Sequence, residues 1–364
     1  MRVFNRTKQI IAIILIAVSA LVIACSKSSN PGGPDNNAGG FDKTAMLTNY
    51  ADALIIPAYT GMQTQLNTFE TAVNVFLDVP TTENQVVLKA AFKNAYLQFQ
   101  HISVDQFGPA ERVILNSFLN SFPTDIPAIE GNVTRGSYDL TMNSTTVQQG
   151  FPALDHLLFA SDALSKLNSA GNANRKKYVK DLLTRMKTLV AGVLSNWKDS
   201  YRADFIGNTR SDAGSPIAFM INQFAYEMDQ MKGPRIGWPY GKQSGGVQYP
   251  QNVEGYNAGI SIALATENLT NLKAMYTGGG NGKGMADYLI ALKKEQLNTD
   301  VLKQFDAAIT ALKTIPDPYS TALTANRTQI DAAYIEIQKL LTLIKTDVAS
   351  ATGVRITYQD TDGD

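Results

Sequence analysis

Cysteine is almost absent: Cys25 is the only one in 364 residues. That excludes an intrachain disulfide, a cysteine nucleophile in the folded part and a cysteine-rich metal site. Histidine is nearly as scarce. His101 and His156 are the only two, far apart and outside any His-Glu-x-x-His spacing, so a zincin-type peptidase centre has no ligand set. No basic stripe breaks the balance of 32 basic and 32 acidic residues, which argues against nucleic acid as a partner. Strand-type alternation is also missing, apart from a short extended-looking run at Arg355–Tyr358.

Only one long apolar run is present, and it lies at the N-terminus. Arg2, Arg6 and Lys8 precede Ile10–Ile23, which is short for a spanning helix of about 20 residues but suits the core of a signal peptide. The run ends in Val22-Ile23-Ala24-Cys25, which looks like a bacterial lipobox, so Cys25 is the expected site of lipidation. Losing the three basic residues of segment 1–24 leaves 29 basic against 32 acidic residues, a net charge of −3. Residues 25–43 then read as a flexible, Gly-, Pro- and Asn-rich tether that lifts a soluble domain off the bilayer. Ser26 after the cysteine favours sorting to the outer membrane of a diderm cell, with the domain facing the periplasm or the exterior.

The rest is dominated by helical periodicity. Tyr50, Leu54, Ala58, Met62, Leu66, Phe69, Val73 and Phe76 recur every three or four residues and predict one helix over 44–77, kinked at Pro57. Further helices are expected at 83–106, 109–119, 145–160, 174–204, 218–231 (with Pro216 suiting a first turn), 253–276, 284–315 and 324–352. Segments 121–149 and 233–251 read as irregular, and the second is a Gly/Pro-rich loop of a length that is often functional. The fold class is therefore all-α, with two bundles of the four-helix type at 44–210 and 211–364. A duplication fits that count, although no residue-level repeat marks it.

Three segments resemble known sites. Thr277–Gly284 superficially resembles a phosphate loop, but Thr277 and Gly284 break the pattern and no strand precedes it, so a helix–helix connection is expected. Asp360, Asp362 and Asp364 resemble half of a calcium loop without its closing glutamate. His101, among Phe99 and Phe107, reads as a packed or capping histidine. The informative stretch is Gln149-Gly150-Phe151-Pro152-Ala153-Leu154-Asp155-His156.

This stretch resembles the signature of the imelysin family, Gly-x-His-x-x-Glu followed by an apolar helix. Gly150 is kept, Pro152 stands at the histidine and Asp155 at the glutamate. Asn49–Tyr59, Phe107–Glu111, Arg235–Gly241 and Gly353–Asp360 resemble the family's other landmarks, so the likeness spans nearly all of the chain beyond residue 44. The resemblance implies a two-part helical fold, a site between the parts near the signature, and a place in iron, metal or haem acquisition. Proline offers no lone pair, and His156 lies about 100° round a helix from Asp155. The expected role is thus binding or accessory rather than catalytic. Its candidate pocket comprises Gly150, Phe151, Pro152 and Asp155 with Arg135, Arg235, Trp238 and Tyr240 from the loops, and Asp155 with His156 is the candidate metal pair. A metallopeptidase and a structural bundle serving a surface-complex partner are the alternatives.

Overall fold

A computed structural model describes residues 40–358, and within them every regular element is helical. Cys25, the signal segment, most of the tether and the aspartates of the C-terminal tail lie outside the described residues. The helices used below are α1 (Lys43–Asn49), α2 (Ile56–Asp78), α3 (Thr82–Phe99), α4 (Leu115–Asn120), α5 (Ile126–Arg135) and α6 (Gly150–Phe159). They continue as α7 (Ala173–Asn196), α8 (Pro216–Gln230), α9 (Ser261–Tyr276), α10 (Met285–Ala291), α11 (Glu295–Lys313) and α12 (Arg327–Thr342).

Local chemistry sets the ends. Asp42, Thr81, Asp125 and Ser215 each accept a backbone N–H three residues on, capping α1, α3, α5 and α8. Pro216 opens α8, where its missing N–H costs nothing. The kink expected at Pro57 takes the form of a π-turn over Tyr50–Ile55 between α1 and α2. Widening the helix there absorbs the donor that the proline lacks.

The apolar stripes face inward as the periodicity requires. Tyr59, Met62, Leu66, Phe69, Val73 and Phe76 of α2 are fully buried against α3 and α7. In the second half α9, α11 and α12 pack together around Phe305, Ile337 and Tyr276. At about 1.5–3 kcal/mol per buried large side chain, these stripes supply most of the drive to fold. The described residues, 40–358, belong to one compact unit, and the buried core runs without a break across residue 210. Phe107 and Phe219 stack across that position with ring centroids 5.8 Å apart.

Several expected boundaries are displaced. The loop predicted over 233–251 is helical at first, since α8 runs on through a π-turn at Met231–Gly237 that carries Pro234, and then into Trp238–Tyr240. The helix expected from 253 starts only at Ser261, behind a chain of turns. The single helix expected over 284–315 breaks at Lys293, whose φ of 59° is left-handed. The helix expected over 145–160 is cut at Gly150, whose φ of 74° follows a 3₁₀ segment at Asn143–Gln148. Segment 121–149, read as irregular, holds α5.

Candidate functional site

The signature segment forms α6, and each of its residues has a distinct job. A Cβ on Gly150 would lie 2.3 Å from the carbonyl oxygen of Leu119, so only glycine allows α4 to approach this closely. Phe151 is fully buried and stacks on Tyr96, centroids 4.3 Å apart and planes within 7°. Pro152 is the third residue of the helix, where no intrahelical N–H is missed.

Asp155 is buried, and its side chain turns away from α6 to the chain at 257–258. Its Oδ2 accepts from the Asn257 backbone N–H at 2.7 Å and the Asn257 amide at 2.9 Å, and its Oδ1 from Ala258 N–H at 2.8 Å. Burial raises its carboxyl while these three donors pull it back. Asp155 thus clasps the turn that precedes α9.

His156 has a different partner. Its Nε2 lies 2.9 Å from Glu130 Oε1 on α5. Lys166 reaches the same oxygen at 3.1 Å, and Arg175 bonds the other. Partial burial raises the Glu130 carboxyl, but hydrogen bonds from His156 and Lys166 and the Arg175 guanidinium outweigh it and hold it at about 2. Asp155 and His156 thus serve separate partners. Pro152 has no ligand atom, the Asp155 oxygens are engaged by N–H groups, and His156 is engaged by a carboxylate. These residues do not fit a metal held in the manner of the family signature, and no cluster of three or more metal-type side chains occurs among the described residues.

A second constellation lies beside the first. Arg235, on the π-turn after α8, is buried, and its Nη1 donates to Glu254 Oε2 at 2.6 Å and to Gln100 Oε1 at 2.9 Å. Glu254 Oε1 accepts from Asn120 at 2.7 Å and from Gln100 at 3.2 Å. Tyr96 donates its hydroxyl to Asn120, which ties this network to the ring stacked on Phe151. Every member of the network has a partner, as a buried ion pair requires.

Above it lies a cavity of about 330 Å³, walled by Asn116 and Asn120 of α4, Ser103 and Phe99 near the end of α3, and Glu227 and Arg235 from the other half. Trp238 stands at its rim, 40% exposed. Burial pushes the Glu227 carboxyl up, against the pull of Arg235 and of the Asn268 amide that donates to it at 2.9 Å. A smaller cavity of about 200 Å³ holds Pro152 and Asp155 with the turn at 251–257, and Phe122 contributes to both.

The predicted pocket residues are therefore split. Arg235 and Trp238 line the larger cavity, Pro152 and Asp155 the smaller, and Gly150 and Phe151 are buried and line neither. Arg135 bonds Asn132 of its own helix at 2.6 Å and lines neither cavity. Tyr240 is held by Asp331 at 3.1 Å, under Lys242 and Arg327, also apart from both.

Sequence reasoning missed Gln100, Asn120, Glu227 and Glu254. A signal for Glu254 did exist, since it is the only acidic residue between Asp229 and Glu267 in a glycine-rich stretch. The two remaining motifs prove structural. His101 lies 2.7 Å from Glu267 on α9, and the glycine-rich segment 278–283 wraps the Asn49 amide, which donates to Gly278 and Lys283 carbonyls.

Residues 55–346 match the family model described as Imelysin, Peptidase M75. A protein named iron-regulated protein A from Synechococcus elongatus is 20% identical over 305 residues, covering 79% of this chain and 81% of that protein. Two solved structures share the fold at 18% identity. A protein named as an iron-regulated protein A precursor from Parabacteroides distasonis superposes with a TM-score of 0.73 over 89% of this chain and 97% of its own. An imelysin-like protein from Psychrobacter arcticum gives 0.70 over 90% and 99%.

Proposed function

The chain belongs to the imelysin family, and from that membership we propose that it is a lipid-anchored binding or accessory protein in iron, metal or haem acquisition, without catalytic action of its own. The observation that carries this reading is the cavity over the buried Arg235–Glu254 pair, walled by both halves of the chain. A preformed concave site with a few fixed polar groups is what a small ligand needs. The iron connection is supported by the printed names of the relatives. The absence of a ligand atom at position 152 speaks against a peptidase that works through the signature. In this reading Cys25 carries the lipid and the segment after it is the tether, with the outer membrane as the anchoring surface.

The test uses the full-length chain in detergent. Metal analysis of protein purified from its native host is expected to find iron or haem, and thermal stability is expected to rise on adding one of ferrous iron, ferric iron, copper, zinc or haem. No metal in the native protein and no shift with any of the five would end this reading. Chelator-sensitive proteolysis abolished by Asp155→Ala would restore a peptidase in its place.

A further inference from the structure

Asp105, in the turn after α3, is fully buried, and neither of its oxygens accepts a hydrogen bond among the described residues. Its backbone is tied into the turn, since its N–H donates to the Ile102 carbonyl and its carbonyl accepts from Phe107 N–H. The root of the side chain is thereby held in the interior. An ionised carboxylate kept there without a donor or a cation is costly.

The surroundings add to that cost. Ser103 and Gln106 flank Asp105, and both bond the second half of the chain. The Asn268 amide donates to Ser103 Oγ at 3.0 Å and to Glu227 Oε2 at 2.9 Å. The Gln223 amide donates to the Gln106 carbonyl at 3.2 Å. Gln223 and Glu227 are four residues apart on α8 and so share the face turned to this segment. Gln223 Oε1 is buried and accepts from no described group. From α2 comes Tyr59, fully buried, its hydroxyl likewise without a partner. Burial pushes the Asp105 carboxyl up, and the Glu227 carboxylate adds to the rise. Burial and then the Asp105 charge do the same to the Tyr59 hydroxyl. Arg235, which favours the charge on Glu227, is itself bonded to Glu254.

The unsatisfied side-chain atoms gathered here are all oxygens. Two carboxylates match the charge of a divalent ion, and carboxylate, carbonyl and water oxygens suit a hard one. A water molecule can donate to Asp105 but brings no charge to set against two acids in low dielectric. No group of three or more acid, imidazole or thiol side chains occurs among the described residues, so the ligands beyond these two acids are neutral. Calcium accepts such a mixture, because it takes about six to eight oxygens in flexible geometry, whereas magnesium demands a near-ideal octahedron. Glu227 and Ser103 also wall the larger cavity, which gives the ion a way in.

We propose that Asp105 and Glu227, with the Gln223 amide oxygen and the Tyr59 hydroxyl, hold a calcium ion that pins α2, the turn after α3 and α8 together. The site uses none of the signature residues and does not depend on what the larger cavity binds.

The full-length chain in detergent is stripped with chelator and titrated with calcium and with magnesium, followed by calorimetry and thermal unfolding. Calcium is expected to bind saturably and to raise the melting temperature, with magnesium binding more weakly. Asp105→Asn keeps the shape of the side chain and removes its charge. It should weaken calcium binding by roughly tenfold or more, and leave the stripped chain at least as stable as the parent. Glu227→Gln should weaken binding in the same direction while its side-chain oxygen still accepts from Asn268. Silence towards calcium, which leaves Asp105 held by a proton, overturns the proposal. So does tighter binding of magnesium, or calcium binding that neither variant changes. Iron or haem in the native protein with no response to calcium ends this inference alone. Calcium binding by a protein without iron or haem ends the iron reading alone.

Discussion

At the scale of single residues, the charged groups that were candidates for ligand contact are mostly engaged in holding the protein together. Arg235→Ala leaves Glu254 buried without its cation, and a loss of about 3–5 kcal/mol is expected from denaturant unfolding. Asp155→Ala strips acceptors from the N–H groups of Asn257 and Ala258. A loss of about 2 kcal/mol or more is expected, with faster hydrogen exchange at those two amides and little change in α6. Glu130 yields a pH prediction. Its folded carboxyl titrates near 2, below its ordinary value of 4.5, so its contribution is complete above 4.5 and is lost as pH falls towards 2. Glu130→Gln should therefore flatten the stability profile between pH 4.5 and 2, as followed by denaturant unfolding across that range. The likeness to the signature singled out Asp155 as a candidate pocket and metal residue, and in the structure it bonds Asn257 and Ala258. The partner itself was illegible, since Asn257 lies 102 positions away and nothing near Asp155 announces it.

At the scale of elements, local rules predicted most helices and failed where a long-range contact intervened. The run from α8 into Trp238–Tyr240 looked like a loop because Gly233, Pro234 and Gly237 are poor helix formers. Burial of Met231, Arg235 and Ile236 outweighs that propensity, and the π-turn accommodates the proline. The connection at 277–284 is the converse case, a glycine-rich loop with a defined shape. A Cβ on Gly282 would sit 1.9 Å from the Asn49 side-chain oxygen, and the Asn49 amide donates at 2.9 and 3.0 Å to carbonyls on both sides of the loop. Gly282→Ala and Asn49→Ala should each destabilise by about 1–3 kcal/mol. The double variant should lose clearly less than the sum, because truncating Asn49 opens the space that the added methyl needs. A strictly additive cycle would show that the clasp does not hold the loop.

At the scale of the whole molecule, the two sets of long helices share one core. Phe107 stacks on Phe219, Ser103 bonds Asn268, and the Tyr50 hydroxyl accepts from Met285 N–H, each joining residues on opposite sides of position 210. Calorimetry on the full-length chain is expected to give a single transition whose calorimetric and van't Hoff enthalpies agree. Two resolved transitions would mark the halves as independent bundles. The shared core also explains why both cavities take walls from both halves: a site at such a seam stays rigid only while the seam remains closed.

The residue order alone determined the helical class and the inward stripes, because each depends on neighbours within a turn or two. It also offered Arg235, Trp238 and Asp155 as pocket candidates. Only the tertiary structure decided that Arg235 and Trp238 share a cavity, that Asp155 belongs to another, and that Arg135 and Tyr240 belong to neither. Those outcomes hang on contacts such as Gln100 with Arg235, 135 residues apart, and Asp155 with Ala258, 103 apart. Desolvation makes a buried charge take whichever partner the packing brings within reach, and that choice cannot be read from either residue's own stretch of chain.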